Sequence, residues 1–239
     1  MAANNATKEK KMYMRIRNLC GLLGVILPWL ALLSAGLVDH SSSPEYQEQW
    51  WWSISATYYQ SPALVAVLTP AALVLISYIG YNTTDNIVTS ASGIFGLGII
   101  LFPCKVAWFK AGAHVGFFQL PMEISNTIHC ACAAFFFLLI ALNSLLLFTK
   151  TKSNETMTDR KKRRNLVYRI CGIGMLVFEG VFALLAVFDA PGWTTMVTEI
   201  ILLHLFGFSW LTKGDAFPFL RDLPEDEEPL DEDIILVAD

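Results

Sequence analysis

The chain has 239 residues, 54% of them hydrophobic and 16% charged, with a mean hydropathy of +0.48 and a formal net charge of −4. Soluble domains carry about 25% charged residues. So low a fraction, with apolar runs of about 18 residues or more, excludes an ordinary soluble enzyme and points to membrane-spanning helices.

The charges are segregated. Residues 1–18 form a basic arm with Lys8, Lys10, Lys11, Arg15 and Arg17, and acids concentrate in the C-terminal tail. The first predicted span is 19–38, with Pro28 inside it, a residue that membrane helices tolerate. A polar loop, 39–49, leads to the most unusual stretch, residues 50–62, which holds Trp50, Trp51, Trp52, Tyr58 and Tyr59 among Ser53, Ser55, Thr57 and Ser61. Rings with a polar edge collect where headgroups meet hydrocarbon. The stretch therefore reads as an interfacial or shallow re-entrant segment, with Trp50, Trp51 and Trp52 as interface anchors.

Span two is placed at 62–81 and span three at 86–103, with Asp85 positioned to cap the latter. Ser90, Ser92, Gly93, Gly96 and Gly98 allow close helix approach and suggest a central position in the bundle. Residues 104–125 carry Lys105, Lys110, His114 and Glu123 among aromatic residues, which fits an amphipathic interfacial helix better than a crossing. Span four follows at 126–148, then a basic loop containing Arg160, Lys161, Lys162, Arg163 and Arg164. Spans five and six fall at 166–188 and 194–212. The acidic tail, 215–239, is expected to be disordered; its Ile234-Ile235-Leu236-Val237 run offers a docking peptide for a protein partner, and a homo-oligomer is the other association open to the chain.

Six spans place both termini on one side. That side carries fifteen Lys and Arg residues against two, Lys105 and Lys110, on the other. By the positive-inside rule both termini are cytoplasmic, and the aromatic segment faces outward. The Asn-x-Thr triplets at Asn5, Asn82 and Asn154 then fall inside and are not expected to carry glycans. The Arg160–Arg164 cluster reads as an anchor for anionic lipid, not as a nucleic-acid site.

Ionisable residues within hydrocarbon are functional candidates by default. Here they are His129 in span four, Glu179 in span five, and Glu199 and His204 in span six. The topology lets them converge beneath the aromatic segment, with Ser53, Ser55, Tyr58 and Tyr59 as pocket walls. Three readings stand side by side: hydrogen bonding between helices, a polar pocket or relay for an ion, proton or lipid-like ligand, and a metal site. Imidazole and carboxylate suit zinc, but Glu199 and His204 are separated by about 140° around a helix of 3.6 residues per turn, and no His-Glu-x-x-His motif is present. No metal or cofactor is expected. A nucleophilic role for Ser53 or Ser55 lacks an adjacent base. The five cysteines, Cys20, Cys104, Cys130, Cys132 and Cys171, form no disulfide framework, although Cys104 has the option of meeting Cys130 or Cys132.

The string Ser53-Ile54-Ser55-Ala56-Thr57-Tyr58-Tyr59 resembles the motif of a group of uncharacterised bacterial multi-pass membrane proteins, in which a Ser-Ile-Ser-Ala segment precedes the second span. Gly80-Tyr81, the stretch from Gly93 to Pro103, His129, the run from Arg163 to Gly172 and the ending from Gly207 to Gly214 are similar too. The resemblance covers about residues 15–214. It implies an all-α, six-pass protein of the bacterial inner (cytoplasmic) membrane, without an assigned activity. A fainter similarity is to intramembrane metal-dependent hydrolases such as the alkaline ceramidases, which would imply lipid hydrolysis. Those have seven helices and a His-x-x-x-His motif, where this chain has six and only His204.

Overall fold

A computed structural model describes residues 2–38, 49–80, 82–150, 157–188 and 191–221. Its helices are α1 (Ala2–Gly36), α2 (Ala63–Ser77), α3 (Thr83–Leu101), α4 (Met122–Leu142), α5 (Asp159–Val187) and α6 (Trp193–Lys213). Among the described residues, five are long and apolar enough to cross a membrane, and α2 is a shorter apolar helix. This is an all-α bundle suited to a bilayer. The polar loop at 39–48, the linker at 151–156 and the acidic tail beyond 221 lie outside the described residues.

Each helix packs antiparallel on its sequence neighbour, and α6 closes the ring against α1. The short connections at 78–82 and 188–192 force α2 onto α3 and α5 onto α6. The inside of the ring is filled by Leu27, Leu75, Phe136, Ile140, Met175 and Phe206, with Trp210 fully buried. Ring closure depends on glycine. A Cβ on Gly21 would lie 2.7 Å from Gly207 O and Leu211 N, and one on Gly207 would lie 2.7 Å from Gly21 O. In a bilayer, where no hydrophobic drive separates helix from lipid, such close backbone approach supplies the association.

Several expected boundaries shift. Helix α1 continues through the basic arm instead of starting at residue 19, because Ala, Lys, Glu and Met there are strong helix formers. Helix α2 stops at Ser77, four residues before the expected end of span two, and Tyr78 is already extended. Its 15 residues span only about 22 Å at 1.5 Å per residue, less than a hydrocarbon core of about 30 Å. Before α2 the aromatic segment makes a 3-10 turn, Ser55–Tyr59.

The cap of α3 is Asn82, whose side chain accepts from Asp85 N–H at 3.0 Å; Asp85 instead pairs with Lys150 at 2.7 Å. Helix α3 sits between α2 and α4 in the ring and is not central, although its glycines act as expected: a Cβ on Gly93 would meet Ala72 O and Ile76 N. Residues 104–121 form no amphipathic helix. They make turns and a small antiparallel hairpin, β1 (His114–Val115) and β2 (Leu120–Pro121), pairing His114 with Pro121 and Val115 with Leu120. The turn between the strands places Gly116 at φ +74, a conformation that glycine adopts without steric cost and that interrupts any helix. Span four ends in a π turn, Asn143–Leu147, with Phe148 N bonded to Asn143 O at 2.9 Å. All five cysteines are free, so Cys104 pairs with neither Cys130 nor Cys132.

Replacing Gly207 by leucine should therefore open the α1–α6 seam. We expect a loss of about 3 kcal/mol or more from overpacking against backbone, seen as a lowered unfolding temperature in detergent, whereas Gly180→Leu, at a position with no neighbour within 4 Å, should leave it unchanged.

Candidate functional site

The two ends of the bundle differ in chemistry. At the basic end, Arg17 donates to Tyr78 OH at 2.9 Å, Lys150 holds Asp85, and Lys213 lies 5.1 Å from the centre of the Phe148 ring. The aromatic end is organised by Glu199, on the first third of α6. Its carboxylate accepts from Ser53 Oγ at 2.9 Å, Ser55 Oγ at 2.6 Å, Ile54 N–H and Ser55 N–H at 3.3 Å. Two successive backbone amides and two flanking hydroxyls thus converge on one anion at the start of the 3-10 turn, where N–H groups have no helical partner. The Ser-Ile-Ser spacing produces this. The serines at 53 and 55 flank a residue whose side chain goes the other way, and Ile54 is buried in the core.

Further bonds seat the segment. Met196 N–H donates to Trp52 O at 2.9 Å, Tyr59 OH donates to Cys104 O at 2.7 Å, and the hydroxyls of Ser34 and Ser61 meet at 2.6 Å. Trp52 packs on Gly192, and Trp50 lies against Gly36. Trp51 is the most exposed of the three tryptophans. Tyr58 and Tyr59 pack edge to face. Burial pushes the Cys104 thiol well above its usual range, and the Glu199 charge acts in the same direction.

Below this roof lies a cavity of about 580 Å³. Leu64, Leu68, Ile99, Phe136, Phe137 and Leu203 give it apolar walls; Ser53, Ser55, Glu199, His129 and Glu179 add polar groups. Glu179 lies on the stripe of α5 that turns toward the bundle, one turn from Phe182, which also lines the cavity. It has no hydrogen-bond or ion-pair partner among the described residues. The His129 Nδ1 faces the carbonyls of Ile99 (3.1 Å) and Phe102 (2.9 Å). Both are acceptors, so Nδ1 carries the proton, and the ring serves as a cap for the C-terminal end of α3.

Three of the four predicted intramembrane groups, His129, Glu179 and Glu199, thus share the cavity. His204 does not. Its Nδ1 donates to Ile200 O at 2.7 Å and its Nε2 accepts from Trp29 Nε1–H at 3.1 Å. Both ring nitrogens are committed on the α1-facing side of α6, away from Glu199, as the angle between positions 199 and 204 requires. Tyr58 and Tyr59 brace the roof without lining the cavity, which adds Trp52, Cys104, Trp108 and Cys130 to the residues expected from sequence. Among the described residues, no three His, Cys, Asp or Glu side chains are grouped so as to hold a metal ion. Scanned against models of known protein families, against characterised proteins and against solved structures, the chain matches none of them.

Glu199→Gln should release the roof. The new amide would turn an N–H₂ toward two donors, losing about 2–3 kcal/mol of charge-assisted bonding, while Ser53→Ala should lose about 1 kcal/mol. With the other four cysteines replaced by alanine, Cys104 should alkylate slowly at pH 8, because its raised pKa leaves little thiolate, and faster as pH rises. Glu199→Gln should raise the rate at every pH. Equal rates in the two proteins would mean that Glu199 does not hold the roof.

Proposed function

We propose that this chain is a six-pass protein of a bacterial cytoplasmic membrane, aromatic end outward and both termini inside, that binds or carries a lipid-like amphiphile in the cavity beneath residues 50–62. The carrying observation is the cavity itself: apolar on most sides, set among the apolar helices, and closed at one end by a hydrogen-bonded polar segment. Apolar walls with a few converging polar groups fit a ligand that is largely hydrocarbon. They do not fit a hydrated ion, whose shell would need replacement by many oxygens. The asymmetry of Lys and Arg supports the orientation, and the likeness of the Ser53–Tyr59 string to bacterial multi-pass proteins supports the setting.

Lipid hydrolysis has less support. The hydroxyls of Ser53 and Ser55 donate to Glu199, and the protonated nitrogen of His129 is bonded to backbone carbonyls, so among the described residues no hydrogen bond joins an imidazole to either serine.

Native mass spectrometry on protein purified in mild detergent tests the binding reading. The wild type should carry a near-stoichiometric amphiphile, and Ala133→Trp, which fills the cavity from α4, should lose it while unfolding at a similar temperature. A wild type without adduct, or an adduct unaffected by the filled cavity, would overturn it. Orientation is checked in intact cells with single cysteines, Gln119→Cys labelling from outside and Lys162→Cys only after permeabilisation.

A further inference from the structure

We propose that the ligand is a hydrophobic ammonium, a long-chain amine or an amine-headed lipid, that enters sideways between α4 and α5 and takes Glu179 as its counter-ion. This rests on the amphiphile reading above and goes beyond it in naming the headgroup and the route.

The charge follows from an inventory of the cavity. Its ionisable groups besides cysteines are Lys105, His129, Glu179 and Glu199. Lys105 is ion-paired with Glu123 at 2.7 Å. His129 has its proton directed at two carbonyls, and Glu199 accepts from two hydroxyls and two amides. Only Glu179 faces the space without a partner among the described residues. A carboxylate facing hydrocarbon is costly unless a cation or donor meets it. A fatty acid would pair with it only if the two carboxyls shared a proton. A protonated amine brings the opposite charge and up to three donors, as the lysine ammonium does.

The route follows from how α4 and α5 part. Toward the basic end they touch: a Cβ on Gly172 would lie 3.0 Å from Ala141 O and would also meet Leu145. Toward the aromatic end a Cβ on Gly180 of α5, an exposed position, would meet nothing within 4 Å. There Cys130 and Ala134 on α4 and Ala183 on α5 line the cavity and are exposed. Those residues are small on both sides of the gap. An alkyl chain can pass between them from the bilayer without leaving hydrocarbon, which brings its head to the level of Glu179.

Dodecylamine, dodecanol and dodecanoate, titrated into nanodiscs of phosphatidylcholine at pH 7 and followed by tryptophan emission (Trp52 and Trp108 wall the cavity), test this. The amine should bind at least about tenfold tighter than the alcohol. Glu179→Gln should abolish that preference without weakening dodecanol, and Glu179→Asp should retain it. Equal affinities in the wild type, a preference that survives Glu179→Gln, or tightest binding of dodecanoate would overturn the proposal. In those outcomes saturable dodecanol binding leaves the amphiphile reading standing, and absence of any binding removes both. Competition by phosphatidylethanolamine identifies the amine as a bilayer headgroup, and its absence identifies a free amine. Ala134→Trp should slow association and dissociation together; unchanged rates would overturn the lateral route.

Discussion

The contact between Glu199 and residues 53–55 is the constraint on which the aromatic end depends. Non-helical backbone at membrane depth survives only when its amides find partners inside the protein. Here the partner is a single carboxylate that accepts two of those amides and two hydroxyls at once. Without it, the turn at Ser55–Tyr59 would present donors to hydrocarbon. With it, the segment closes the ring of helices above the cavity. Fold and candidate site therefore share one interaction.

The opposite end solves a different problem with different chemistry. There Asp85 is met by Lys150, Arg17 by Tyr78, and Arg164 by the carbonyl of Leu220 at 2.7 Å. These are long cationic side chains reaching buried positions from an edge rich in positive charge, as membrane proteins use them at an interface. Buried hydroxyls and one amide interrupt the apolar interior: the Ser144–Ser209 pair at 2.6 Å, Thr89 and Ser92 bonded to carbonyls of their own helix, and Asn143. Small hydroxyls of this kind bridge helices at little cost. Among the described residues, the large ionisable groups lie at the two ends and in the cavity, apart from His204, which Trp29 and Ile200 hold midway along α6.

What could be read in the sequence was whatever repeats locally. Apolar runs located the C-terminal ends of most helices to within a few residues but not the polar starts of α1 and α5; the glycines of α3 announced close packing, and the density of rings and hydroxyls at 50–62 marked a segment out of the ordinary. Relations between distant residues could not be read. Ser53 and Glu199 are 146 positions apart, and nothing in either neighbourhood names the other. His204 and Glu199 lie on one helix and invited a common role, yet their faces diverge and Trp29 takes the imidazole. Residues 104–125 are amphipathic in composition, which favours a helix, yet they hold the hairpin at 114–121. Gly112 and Gly116, both at positive φ, were the local signal that outweighs composition.

The separation between the two halves of the Glu199 contact also bears on biogenesis. Chains enter the membrane from the N-terminus, so Ser53 and Ser55 are in place long before Glu199 is synthesised. During the insertion of α3, α4 and α5 the roof has no anion to hold its amides and must wait in the headgroup region, where water can satisfy them. Tryptophans at 50, 51 and 52 suit that waiting position. The last helix to arrive carries the carboxylate, and its docking against α1 is also the step that closes the ring. Sealing of the cavity and completion of the bundle are one event, and a chain truncated before α6 would have neither.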